Sequence, residues 1–104
     1  MKPLHWQHPA RQDAMDAAKW YGRQAGVAVG ERFLVAVAAS LAHIAGNPAT
    51  GSTRYTVALQ LDGLRFWPVT DFPHLIFYVE RDDRIDVWRV LHAQRDIPAW
   101  MGAG

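Results

Sequence analysis

Apolar positions recur along the chain in two different rhythms, a helical one in the first half and an alternating one in the second. Leu4 to Gln7 is short and strand-like, and Pro9 suits the first turn of a helix, where its missing amide proton costs nothing. Ala14, Ala17, Ala18 and Tyr21 form an apolar stripe at helical spacing, Asp13 and Asp16 sit near the positive end of that helix's dipole, and Gly22 and Gly26 bracket its end, Gly26 being the expected stop. A second and stronger helix follows. Phe33, Val37, Leu41 and Ile44 fall on one side, Leu34, Ala38 and Ala45 widen the stripe, and Gly46, Asn47 and Pro48 are the residues expected just past a helix C-terminus. A short glycine-containing turn between the two predicts an antiparallel helix hairpin.

Residues 49–63 mix loop residues (Gly51, Ser52, Thr53) with an alternating stretch, Tyr55 to Leu61, which predicts a strand. Three clearer strands come after it: LRFWPV from Leu64, HLIFYVE from His74 and RIDVWRVLH from Arg84, with turn chemistry in TDFP and RDDR between them. Pro68 marks the first of these as an edge strand or a bulge. The predicted fold class is α+β: an N-terminal strand, an antiparallel two-helix hairpin, then a three-stranded antiparallel meander, with the helices packed on one face of the sheet. At 104 residues the chain is expected to form a single domain, residues 1–104.

Composition narrows the function classes. There is no cysteine, which removes thiol catalysis, disulfides and thiolate metal sites and fits a cytoplasmic protein. The N-terminus lacks a signal-peptide core, and no segment is expected to reach the length of a membrane span. A formal net charge of +1 offers no strong field toward nucleic acid or an anionic membrane. His5 and His8 have no carboxylate in ligand register, so no metal is expected. His43 reads as a polar group favoured by a helix C-terminus. Ser40, Ser52 and Thr53 lack a nucleophile elbow, and there is no phosphate loop or dinucleotide fingerprint, so no cofactor is expected.

Arginines carry more information. On strand alternation, Arg65 shares a face with Trp67 and Val69, and Arg89 with Val87 and Leu91. Each needs a carboxylate, a carbonyl or a ligand there, and Asp62, Asp71, Asp86 and Asp96 are the available acids. In RVLHAQRDIP, His92, Arg95 and Asp96 cluster within five positions. That cluster could move protons or simply close a strand.

Taken together, NPATG, LRFWPVTDFPHLIFYVE and VWRVLHAQRDIPAW resemble the RelE/ParE superfamily of toxins from bacterial type II toxin-antitoxin systems, most closely its ParE branch. The resemblance runs from about Leu4 to Met101, and Arg89, His92, Arg95 and Asp96 match the closing motif. It implies a cytoplasmic, growth-arresting toxin that forms a hetero-oligomer with a cognate antitoxin encoded next to it, and Phe33, Leu34, Val37 and Leu41 are the residues expected to meet that antitoxin unless the core takes them. For the ParE branch it implies poisoning of DNA gyrase by protein contact, with no catalytic residue, and Arg65, Arg89, His92, Arg95 and Asp96 as target-binding or motif residues. The alternative is a RelE-like ribonuclease cutting messenger RNA on the ribosome, with His74, His92 and Arg95 as catalytic residues; a decayed toxin retaining only antitoxin binding is a further alternative. Against the ribonuclease stand the absence of lysines before Arg65, where only Arg54 is found, His74 where an arginine is common, and Trp100 or Met101 near the expected tyrosine. Arg95 is expected to pair with Asp96 or Asp71, making the motif chiefly a structural lock.

Overall fold

The computed structural model describes residues 1–103; Gly104, the last residue of the expected domain, lies outside them. Strand β1 (Leu4–Trp6) leads into helix α1 (His8–Ala25), with Pro9 in its first turn as expected. Gly26, at φ 103°, ends α1 and begins α2 (Val27–Gly46), so the hairpin turns on one residue in a conformation that a side chain resists. The helices press closely at Gly30, where a Cβ would lie 2.7 Å from the Ala18 carbonyl oxygen. Phe33, Val37, Leu41 and Ile44 are buried as the stripe predicts, but Leu34 is 42% exposed and Val35 and Val27 more so. By length and composition α2 is apolar enough to cross a membrane, against the expectation that no segment reaches that mark; in this fold a third of it is buried against the rest of the chain.

The strand expected at Tyr55 to Leu61 is instead a short helix, α3 (Thr56–Leu59), preceded by a 3-10 turn at Pro48–Thr50. Alternation misled because Tyr55, Leu59 and Leu61 pack inward while Val57, which alternation puts with them, is 87% exposed. Four-residue spacing from Tyr55 to Leu59 is the helical signal.

Strands β2 (Leu64–Pro68), β3 (His74–Glu80) and β4 (Ile85–His92) form the antiparallel meander, and the sheet order is β1-β4-β3-β2. Pro68 lies on edge strand β2. β1 joins the other edge parallel to β4, Leu4 opposite Ile85 and Trp6 opposite Val87, a pairing that the intervening helices make possible. Between Phe77, opposite Arg89, and Tyr78, opposite Val87, the β3–β4 register slips, and Trp88 is the extra residue of a bulge.

That bulge corrects the expected face assignment. Val87 packs in the core beneath the helix hairpin, whereas Leu91 packs in a second cluster on the opposite face, so Arg89 does not share one face with both. The second cluster, built on Leu64, Phe77, Val79 and Leu91, is closed by α3 and by an additional helix, α4 (Ile97–Ala103), through Ile97 and Met101. The helix hairpin thus covers one face as expected, and two short helices cover part of the other.

Candidate functional site

A cleft of about 620 Å³ opens where β3 begins and β4 ends, between α1 and the approach to α4. Asp13, on its wall, is held by an ion pair. Arg89 donates from Nε and Nη2 to the two carboxylate oxygens of Asp13 at 2.8 and 2.9 Å, and from Nη1 to the Trp100 carbonyl at 3.0 Å. The Val90 amide also donates to Asp13, at 3.0 Å. With side chains only 11% and 14% exposed, the pair ties α1, β4 and α4 together. Hydrogen bonding to Asp13 strengthens the hold of the Arg89 guanidinium on its proton, with burial opposing. Arg89 therefore takes none of the four acids expected for it. Asp13, seen in the sequence only as a dipole partner, is the acid, because the hairpin brings α1 over β4.

His74 and His92 face each other as a cross-strand pair, their rings 5.3 Å apart edge to face. His74 is buried against Phe33 (4.9 Å) and Tyr21 (5.9 Å), and among the described residues its Nδ1 has no hydrogen-bond partner. Burial first, then the positive fields of His92 and Arg95, push its pKa down to about 4, with Asp13 partly opposing. At neutral pH His74 is an uncharged imidazole. His92 Nδ1 accepts a hydrogen bond from the Gln94 amide at 3.1 Å, which in the neutral ring puts the proton on Nε2.

Arg95 departs from expectation. It pairs with neither Asp96 nor Asp71; its guanidinium lies 4.1 Å from the centre of the Trp100 ring. Asp96 turns the chain into α4, its carbonyl accepting from the Trp100 amide at 3.1 Å and its carboxylate from Ala99 at 3.4 Å. The motif is thus split: Asp96 shapes the helix start, while Arg95 stays exposed at the cleft.

Arg65 does not reach this cleft. It lies on β2 and donates to the Gly51 carbonyl at 2.8 Å, in place of the acids expected for it. Beside it the buried Tyr78 hydroxyl donates to the Pro48 carbonyl (2.6 Å) and accepts from the Gly51 amide (3.1 Å), which pins the 3-10 turn to the sheet. Burial pushes the Tyr78 phenol up, only partly countered by the Gly51 bond and the Arg65 charge. His43 stacks on Trp67 at 4.0 Å, with a ring nitrogen 3.1 Å from the Thr50 hydroxyl oxygen. Burial raises the Asp86 carboxyl, but hydrogen bonds from Arg84 and Arg81, with the Arg84 charge and His5, outweigh it and hold the group below its usual range.

Of the four residues expected to meet an antitoxin, Phe33, Val37 and Leu41 are buried in the core of the chain and Leu34 is exposed. Sequence reading missed Trp20, Arg23 and Trp100 as cleft residues. Trp20, a large apolar group off the helical stripe, carried the one visible signal.

The arrangement brings His74, His92 and Arg95 to one place and leaves Arg65 elsewhere, while Arg89 and Asp13 satisfy each other. Among solved structures the chain is similar to one from the chromosomal ParDE toxin-antitoxin system of P. aeruginosa, with a TM-score of 0.74 at 15% identity over 88% of this chain and 96% of that one, a likeness of fold. No curated protein matches the sequence. Residues 4–97 match the family described as the ParE toxin of type II toxin-antitoxin system, parDE. The chain therefore belongs to the ParE family of type II toxins.

Proposed function

We propose that this toxin arrests growth by binding DNA gyrase in the cytoplasm and stalling its cleaved-DNA state, and that an antitoxin encoded beside it neutralises it as a hetero-oligomer. The observation that carries the reading is the ParE family match across residues 4–97. The site chemistry supports it. A ribonuclease needs cations gathered on the scissile phosphate and a group to take the 2′-hydroxyl proton. Here Arg89 is held by Asp13, Arg65 is turned to Gly51, and His74 is buried. A contact poison requires no such set.

The antitoxin segment would cover apolar surface that the fold leaves bare on α2, at Leu34, Val35 and Val27. Substituting all three with serine should weaken antitoxin binding at least tenfold without unfolding the toxin, read by calorimetry and circular dichroism.

A second reading, messenger-RNA cleavage, draws on the convergence of His74, His92 and Arg95 in one cleft. Two assays separate the readings: gyrase supercoiling, and cleavage of a reporter message on translating ribosomes. Inhibited supercoiling with intact message is expected; cut message with normal supercoiling would overturn the gyrase reading, and silence in both would mark a toxin that has lost its target.

A further inference from the structure

Trp20 and Trp100, on α1 and α4, line the cleft and are 51% and 39% exposed. Indoles at the walls of a concave site offer flat faces for stacking. Arg23 and Arg95 line the same cleft, and among the described residues neither has an ion-pair partner. Asp13 is neutralised by Arg89, whereas Asp16, which accepts from the neutral Gln12 amide at 2.8 Å, keeps its negative charge. Among the described residues the cleft thus sets two arginines without ion pairs against one such carboxylate, in a chain whose net charge is only +1.

Two further features favour a ligand over bare surface. The Arg95 guanidinium carbon lies 4.1 Å from the centre of the Trp100 ring, and among the described residues no ion pair engages its N–H groups, which suit paired oxygens. His74, 8% exposed, belongs to the cleft wall, yet among the described residues its Nδ1 finds no partner. Buried polar atoms in folded proteins are almost always bonded, and exceptions concentrate where a further group is needed.

The geometry points to a binding site for a nucleotide unit, its base stacked on Trp20 or Trp100 and its phosphate held by Arg23 and Arg95. An acidic side chain would satisfy the arginines alone, whereas a nucleotide uses both the cations and the aromatic faces, the combination that grips single strands without reading their sequence. The unit can arrive as a free mononucleotide or within a single strand. Occupancy by DNA would be compatible with a gyrase target, and the site's existence does not depend on that target.

Titration of the full chain with AMP, with inorganic phosphate and with a hexameric oligodeoxyadenylate and oligoadenylate tests this, read by tryptophan fluorescence and by the His74 imidazole resonances. Saturable quenching by AMP or an oligomer is expected, weakened at least tenfold in Arg23→Gln/Arg95→Gln and in Trp20→Ala. Arg54→Gln, an exposed arginine elsewhere, should bind as the parent does. Tighter binding of an oligomer than of AMP identifies a strand as the source, and equal binding identifies the free nucleotide. Absence of saturable binding by a folded chain overturns the site, as does inorganic phosphate binding as tightly as AMP, or unchanged binding in both cleft variants.

Discussion

Arg89 and Arg95 sit six residues apart with opposite fates. Arg89 is enclosed by Asp13, so removing either partner strands a charge in a mostly buried place. Asp13→Ala should cost about 3 kcal/mol in urea unfolding, and the Asp13→Ala/Arg89→Ala double variant should cost clearly less than the two singles summed. Arg95 is exposed and among the described residues makes no ion pair, so Arg95→Ala should change stability by less than about 0.5 kcal/mol while reducing toxicity. This reverses the expectation that its loss acts through structure; a large fall in melting temperature would restore that expectation. Tyr78 makes two buried hydrogen bonds to the 3-10 turn, and Tyr78→Phe should cost about 1–3 kcal/mol by leaving the Gly51 amide and Pro48 carbonyl short of a partner.

At the scale of elements, α4 is the part least visible in the sequence. Its seven residues follow the family motif as IPAWMGA; Pro98 suits the first turn as Pro9 does in α1, but the run is short and its glycine argues against a helix. Ile97 and Met101 make it hold, because they close the cluster over Leu91 and Phe77 and because Asp96 starts the turn. Truncation after Asp96 removes two largely buried side chains, each worth roughly 1.5–3 kcal/mol, and takes away the Trp100 carbonyl that Arg89 uses. The truncated chain should show a lower unfolding midpoint and bind a hydrophobic dye. α1, α2 and the three meander strands, by contrast, were legible from helical periodicity, runs of β-branched and aromatic residues, turn residues and glycine positions, even though β3 and β4 bury side chains on both faces of the sheet. α3 was not, because four residues satisfy both rhythms and only the packing of Tyr55 and Leu59 chooses between them.

Across the whole molecule, His74 is where the helix hairpin, the meander and the cleft meet, touching Tyr21 of α1, Phe33 of α2 and His92 of β4. Its pKa of about 4 lies below the ordinary 6.5, so the unfolded chain takes up the proton first on acidification. Stability from this group is complete above about pH 6.5 and is lost as pH falls toward 4, by up to roughly 3 kcal/mol. Denaturant titrations between pH 4 and 7 should show that decline, and His74→Leu should flatten it. Asp86 acts lower, its stabilisation fading only as pH drops through a carboxyl already held below its usual range. The amino-acid sequence by itself determined the order of the first strand, the two long helices and the three meander strands, the burial of Phe33, Val37, Leu41 and Ile44, the choice of an edge or a bulge for Pro68, and the family signature, because these depend on spacing within one segment. Only the tertiary structure decided that Asp13 answers Arg89, that a bulge at Trp88 breaks the alternation, and that Trp20, His74, Arg95 and Trp100 share a cleft. Those are contacts between segments far apart in the chain, and spacing within one segment carries no record of what folds across from it.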